Sequence, residues 1–445
     1  MSGGYYPSVH EQCQCNEQTS LINRVLFEVP KIKCSLRPFV ATARRIARAI
    51  PSPGAPFSYE EAVKAFPRAK RESYLRFARQ VDLGDVNPSI SAFVKFERLV
   101  DTDKDPRMIQ FRHKSYGLLL ATYLKPIEHA IYALKSPSGG RAIAKGLNMN
   151  ARADEIQRKM ALFTRPVVYS IDASRWDAHV QVAHLKLEHL VYNTVWGCPL
   201  LASLLRSQLH NKGITSTGLR YVVPGGRMSG DMNTALGNCL LMCIFVFTLL
   251  EDISYEIFDD GDDCLVFFDE RDEIIVREKL IGGLTKLGFN IKLENRATSL
   301  EQVLFCQARP VWNGERYTMI RDPRKITGFG LAASKFRGNS KQLQAYSRSV
   351  GVCELALNRG IPVLQNYAQR LIDIGSGRLN HAYIEHLGVS RILYNQLGVR
   401  SLDEIDLTPR AITDESRRSF AAAWDICIDE QLSWEAECYA LNLDC

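Results

Sequence analysis

The stretch SYEIFDDGDDCLVFFDE, Ser254 to Glu270, sets four aspartates around one glycine between two apolar runs. Tyr255 to Phe258 and Cys264 to Phe268 are aromatic or aliphatic enough to predict two strands. Between them, Asp259-Asp260-Gly261-Asp262 is turn chemistry, so the local expectation is a β-hairpin with carboxylates at its tip. Crowded carboxylates raise one another's pKa unless a cation neutralises them. The cluster is therefore either a solvated turn or a hard-metal site that gathers oxygen ligands, and the rest of the chain has to separate the two.

With 445 residues, 46% of them hydrophobic and 24% charged, the chain can bury a large core spread over two to four lobes, and disorder is not expected. Lys and Arg number 56 against 49 Asp and Glu; the net charge of +7 is compatible with a polyanionic partner. Twelve cysteines lie scattered from Cys13 to Cys445 with no CxxC pair and no secretory leader, a usage that fits reduced thiols better than a disulfide framework. His10, Cys13, Cys15 and Cys34 form a candidate zinc set of irregular spacing, with a loose N-terminal tail as the alternative. The longest apolar run, Cys239 to Leu250, is too short to cross a bilayer and predicts a buried core helix in a chain without a transmembrane segment of its own. No fixed-period repeat appears, and Pro51-Ser-Pro-Gly-Ala-Pro56 marks a turn or linker.

Along the chain, Ser58 to about Leu83 reads as helical and basic, with Arg68, Lys70, Arg71, Arg76 and Arg79 among Phe66, Tyr74 and Phe77. The tract FVKFERLVDTDKDPRMIQFRHKSYG then carries Lys95, Arg98, Lys104, Arg107, Arg112 and Lys114 on short extended runs split by Pro106. Extended basic runs with aromatic neighbours suit a channel for nucleic acid or a triphosphate, through phosphate pairing and base stacking. A β-branched strand, Val167 to Ile171, leads directly into Asp172, and Asp177 stands five residues on at the start of an amphipathic helix expected to reach Val195. A carboxylate at a strand's end is placed to face a cleft, whereas a helix N-cap accounts for Asp177 as well.

Gly225-Gly226 and Ser229-Gly230 make a loop before a helix that carries Thr234 and Asn238 four apart, on one face, where a ligand hydroxyl is one candidate partner. Beyond the hairpin, Arg271 to Leu287 reads as a helix, Gly288 to Leu293 as a strand, and Val303 to Phe305 as a strand turning at Cys306-Gln307. From about Leu331 the pattern is mostly helical, with Thr408 as an N-cap before Pro409 and an apolar stripe through Phe420, Trp424 and Cys427. No GxxxxGK[ST] loop is present, which excludes the common ATP-driven helicase motif.

Two-metal phosphoryl transfer needs carboxylates from separate strands converging on ions about 3.5–4 Å apart, and Asp172 with Asp262 could supply them. In order, FVKFERL, DPRMIQFR, YLKPIEHAIY, IDASRWDAHV, GGRMSGDMNTALGNCLLM, GDDC, LGFNIKLENR, LFCQARPVW and RDPRK run from about Ala92 to Lys325. This series resembles the RNA-dependent RNA polymerases of the tombusvirus-like plus-strand RNA viruses.

The resemblance implies an α+β right hand: an N-terminal extension 1–57, fingers 58–160 and 196–222, a palm with an antiparallel sheet over 161–195 and 223–328, and a helical thumb 329–445. It implies Mg²⁺, with Mn²⁺ as a substitute, on Asp172, Asp262 and Asp263. It also implies that Lys95, Arg107 and Arg112 meet the triphosphate and template, that Asp177, Ser229, Thr234 and Asn238 read the ribose, and that Phe305, Cys306 and Gln307 grip the primer strand. Where the family often has a lysine after the strand following Gly288, this chain has Asn295-Arg296, so the general acid is either Lys292 or Arg296. Trp176 replaces the commoner Phe as a packing change. Template, nascent RNA and nucleoside triphosphates are the implied partners, with a separate viral membrane-anchoring replication protein in the host cytoplasm. A reverse transcriptase would share the palm but need a gate against the 2′-hydroxyl. A non-catalytic RNA-binding protein would explain the basic tracts but not three aspartates at a cleft.

Overall fold

The computed structural model describes residues 8–66, 68–97, 99, 103–329, 339–377, 379 and 405–443. They fall into two units, one made of Ser8–Ile143 with Ser170–Glu294, the other chiefly of Ala144–Tyr169 and Asn295–Cys445.

The first unit opens with α1 (Gln14–Ser20) and α2 (Arg37–Ala49). The basic segment expected as one helix forms three short ones, α3 (Tyr59–Lys64), α4 (Arg68–Leu75) and α5 (Ala78–Asp82). Strand β1 (Ile90–Val94) pairs antiparallel with β2 (Met108–Arg112), the extended runs expected on either side of Pro106. After α6 (Lys114–Tyr132), and with α7 (Met149–Met160) belonging to the second unit, the chain enters β3 (Pro166–Ala173).

The single helix expected from Asp177 to Val195 is two, α8 (Trp176–His179) and α9 (Val182–Trp196). The break is local: the Gln181 backbone N–H donates to His184 Nδ1 at 3.1 Å and so caps the second helix afresh. Beyond α10 (Pro199–Arg206), β4 (His210–Thr215) pairs with β5 (Arg220–Pro224) and runs parallel to β1, giving a sheet of order β2-β1-β4-β5.

Helix α11 (Thr234–Leu249) is apolar all round, and Leu236 through Val246 are buried, the core helix that its composition demands. Strands β6 (Tyr255–Asp259) and β7 (Cys264–Asp269) form the expected hairpin, in register Asp259 with Cys264. Then follow α12 (Glu273–Lys286) and β8 (Ile291–Ala297), in a four-stranded sheet of order β6-β7-β3-β8 whose last two strands continue across the division between units. The strand expected from Gly288 starts three residues later because Phe289 is buried, its ring stacked on Trp176 at 4.5 Å between centroids. Trp176 is itself buried there, as packing.

In the second unit, β9 (Ala308–Trp312) and β10 (Tyr317–Arg321) pair antiparallel, followed by α13 (Pro323–Phe329), α14 (Ser340–Leu357) and α15 (Leu364–Ile374), with further helices over Asp414–Trp424 and Ile428–Ala440. Val311, Ile320, Tyr346, Leu364, Tyr367 and Phe420 share its core. Three expectations are corrected. Val303 to Phe305 is not a strand: Phe305 alone bridges, to Ala308, while Cys306 and Gln307 turn the chain at φ of 50° and 60°. Thr408 does not cap a helix; Thr413 does, its hydroxyl accepting from the Ser416 N–H at 3.1 Å. Cys427 lies beyond the helix that carries Phe420 and Trp424, at the start of the next. Expected helices within 330–338 and 380–404 lie outside the described residues.

The candidate zinc set is also corrected. Cys13 and Cys15 are joined as a disulfide, against the expectation of thiols throughout, and the His10 ring meets the Lys104 carbonyl at 2.9 Å. Among the described residues, nine other cysteines form no disulfide. Among the described residues, no helix is long and apolar enough to cross a membrane.

Candidate active site

Asp172 lies one residue before the end of β3, on the strand adjoining β7. It is exposed and lines a cavity of about 320 Å³ with Ser174, Thr285, Phe289, Asn290, Ile291 and Lys292. The Ser174 N–H donates to the Asn290 carbonyl at 3.1 Å, which fixes the end of β3 against that loop. Of the two candidate proton donors, Lys292 is exposed in this cavity, whereas Arg296 does not line it.

Asp262 and Asp263 are exposed at the hairpin tip. The turn depends on Gly261, whose φ of +108° suits only glycine, and on the Asp259 carboxylate, which accepts the Gly261 N–H at 2.8 Å. The first aspartate of the cluster is thus fully buried and shapes the tip, leaving Asp262 and Asp263 turned outward. Among the described residues, no three His, Cys, Asp or Glu side chains gather closely enough to hold a metal by themselves. Magnesium does not need three. It is commonly held by one or two carboxylates with substrate phosphates and water completing the shell, and exposed carboxylates at the end of β3 and in the turn before the adjoining β7 fit that demand.

Beside the tip lies Asp177. Burial, then the charge of Asp262, push its carboxyl up to about 6, against the pull of Arg227 and a hydrogen bond from Asn238. The Asn238 amide is oriented without ambiguity: its Oδ1 accepts from Arg227 Nε at 2.9 Å, so Nδ2 faces Asp177 Oδ1 at 3.4 Å. Arg227 is buried and ion-paired with the fully buried Glu188, whose other oxygen accepts from Asn233 Nδ2 at 2.7 Å. Sequence reasoning missed Arg227, Glu188 and Asn233. A signal existed, because Glu188 stands four residues after His184 on the otherwise apolar face of α9, where an unpaired carboxylate could not be buried.

Ser229 and Thr234 are occupied in shaping the loop. Ser229 Oγ accepts from the Gln110 N–H and donates to the Met108 carbonyl, both at 3.2 Å, which ties the loop to β2. Thr234 Oγ1 donates to the Met228 carbonyl at 2.7 Å. Arg112, expected to meet the triphosphate and template, is buried, with Nε on Asp231 at 3.0 Å, Nη1 on the Pro88 carbonyl at 2.8 Å and Nη2 on Asn211, so it ties β2 to β4 and to the segment before β1. Lys95, half-buried, and Arg107, exposed, share one acidic partner, Glu97, at 3.1 and 3.5 Å. In the second unit, Phe305 is buried under the Arg152 guanidinium at 5.7 Å, and Gln307 accepts from Lys325 Nζ at 3.3 Å.

The chain is of the α+β class, with a hairpin turn presenting aspartates beside a carboxylate-bearing strand of the same sheet, an arrangement that by itself names no reaction. Sequence comparison makes this specific. The chain matches the family described as viral RNA-dependent RNA polymerase over residues 1–445, and it belongs to that family. It is 35% identical to the RNA-directed RNA polymerase of Panicum mosaic virus over 80% of this chain and 36% of the relative. To that of Oat chlorotic stunt virus it is 35% identical over 88% and 54%. To that of Turnip crinkle virus it is 38% identical over 62% and 37%. The chain therefore spans between about a third and just over half of the length of these relatives.

Proposed function

We propose that this chain catalyses RNA-templated nucleotidyl transfer from nucleoside triphosphates in the replication of a plus-strand RNA genome. In this reading 58–160 and 196–222 are fingers, 161–195 and 223–328 palm and 329–445 thumb, after an extension 1–57. Family membership supports it. The observation that carries it is the placement of Asp172 near the end of β3 and of Asp262-Asp263 in the turn that leads into β7, the strand adjoining β3, with Asp177, Asn238 and Arg227 joined beside that turn.

Asp172 and Asp262, with Asp263 beside them, would hold Mg²⁺, which when bound supplies positive charge for deprotonating the attacking 3′-hydroxyl and for the leaving pyrophosphate. The chain's own residues do the rest. Lys95 and Arg107 exchange Glu97 for the triphosphate oxygens. Asp177 and Asn238, held in one orientation by Arg227, present an acceptor and a donor to the ribose 2′-hydroxyl. As the 3′-oxygen bonds to the α-phosphorus and the bond to the β-phosphate breaks, Lys292, exposed in the Asp172 cavity, is placed to protonate the departing pyrophosphate. The turn Phe305-Cys306-Gln307 would grip the growing strand.

Asp262→Asn tests this. Removing one metal carboxylate should cost several kcal/mol of transition-state stabilisation, a loss of more than about a hundredfold in kcat. The exposed position should leave the melting temperature within a degree or two. Near-normal Mg²⁺-dependent incorporation by Asp262→Asn would overturn the assignment.

A further inference from the structure

From Val29 to Tyr59 the chain contains no acidic residue and six basic ones, Lys31, Lys33, Arg37, Arg44, Arg45 and Arg48, four of them on α2. Helix α2 buries Phe39, Thr42, Ala43, Ile46 and Ala47 and packs on α9 and α11; its Thr42 hydroxyl accepts from that of Thr248 at 2.8 Å, and the Phe39 ring meets Phe245 edge-on at 6.0 Å. The helix is thus firmly seated, and its outer face is fixed in direction. On that face Arg37, Arg44 and Arg48 are exposed. At about 100° per residue they fall within about 40° of one another, a stripe of about 16 Å along the axis. Arg45 sits about 80° away from Arg37 and within electrostatic reach of Tyr255.

None of these arginines forms an ion pair among the described residues. Ordinary helix design would have used Glu or Asp at the i±4 positions to pair with them, and Arg44 faces Arg48 at i+4, a like-charge pair that weakens a helix. Arg37, the first residue of α2, sits at the positive end of the helix dipole with no acidic residue in that turn, again against local stability. A stripe that breaks three local rules and gains nothing inside the protein is the signature of an external anion. No large apolar side chain is exposed between Leu26 and Phe57, so the face has no wedge to enter a lipid interface, and it has no exposed aromatic on which a base could stack. What remains is phosphate recognition by guanidinium forks.

We propose that the Arg37, Arg44 and Arg48 face of α2 docks the phosphate backbone of double-stranded RNA, independent of sequence. The inference uses no feature of the aspartate site, and its test uses no catalysis. The probe is a short, labelled, blunt-ended RNA duplex of arbitrary sequence, titrated with the full chain at several salt concentrations. The variant Arg37→Gln with Arg44→Gln and Arg48→Gln changes only exposed side chains and should keep the wild-type melting temperature. It should bind the duplex at least tenfold more weakly at low salt, and the slope of log K against log salt should become shallower by about 2 to 3, at about 0.9 for each phosphate that is no longer neutralised. A control removing equal charge elsewhere, Lys186→Gln with Arg206→Gln and Lys212→Gln, should leave both values near wild type. An unchanged slope in the stripe variant, or an equal loss in the control, overturns the proposal. Binding of wild type but not the variant to phosphatidylserine vesicles, with duplex affinity unaffected, would also overturn it and make the face a membrane contact.

Discussion

At the level of single residues, Asn238 shows how one polar side chain takes its orientation from another. Arg227 fixes its oxygen, so its amide protons must point at Asp177. A site built to bond a hydroxyl rejects an analogue lacking one, because the buried groups are left unpaired at about 1–3 kcal/mol each. Asn238→Ala is therefore expected to narrow the preference for GTP over dGTP by roughly tenfold or more. The check is kcat/KM for both nucleotides on one template; an unchanged ratio with a lowered melting temperature would leave Asn238 a purely structural tie.

Asp177 adds a pH signature. Its folded carboxyl is raised to about 6 from an ordinary 3.8. The folded state therefore binds more protons than the unfolded chain between those values, and stability falls as pH rises through that window. The deficit is complete above pH 6 and vanishes below about 4. Asp177→Asn should flatten this stretch of the stability curve and raise the melting temperature at pH 7 relative to pH 5, a comparison that calorimetry at the two pH values makes directly.

Among the elements, α11 carries the tightest constraint. Gly237 lies where α11 passes the Glu188–Arg227 pair, and a Cβ built there would meet the Glu188 carboxylate and lie 2.6 Å from Arg227 Nη2. Both partners are buried and cannot swing away, so Gly237→Ala should break the pair and leave two charges uncompensated, at about 3–5 kcal/mol. Thermal melts should show a large drop, and Gly237→Ser no rescue. The hairpin, β3 and the apolar α11 were legible in the sequence because each is declared by a local pattern: two short continuous apolar runs around a turn, a β-branched run, an unbroken greasy segment. What was not legible depends on partners far along the chain. Arg112 reads as one more cation in a basic tract, and only the fold brings Asp231 and Asn211 to bury it. Val303 to Phe305 has strand composition, yet Cys306 and Gln307 turn too early for a ladder to form. Of the candidate site, the aspartates and Asn238 were readable as chemistry; the ion pair that orients Asn238 was not, since Glu188 and Arg227 are 39 residues apart.

For the whole molecule, the decisive property is that each unit has its own core. Leu240, fully buried on α11, belongs to the first, and Phe420, fully buried among Tyr346, Leu364 and Tyr367, to the second. Separate cores of this size are each large enough to unfold cooperatively, and a chain containing both need not behave as one two-state system. Truncating either side chain removes buried apolar surface and leaves a cavity, at about 2–5 kcal/mol for Leu240→Ala and about 3–5 kcal/mol for Phe420→Ala, enough to lower a transition by several degrees. If the units unfold separately, scanning calorimetry of the full chain should resolve two transitions, with Leu240→Ala lowering one and Phe420→Ala the other. The assignment can be read independently by Mg²⁺: the proposed carboxylate ligands Asp172 and Asp262 both lie in the first unit, so the ion should raise the transition that Leu240→Ala lowers, by mass action on the folded form alone. A single transition displaced as a whole by either substitution would mean that the chain crossings between Ile143 and Ala144, Tyr169 and Ser170, and Glu294 and Asn295 couple the two cores into one cooperative body.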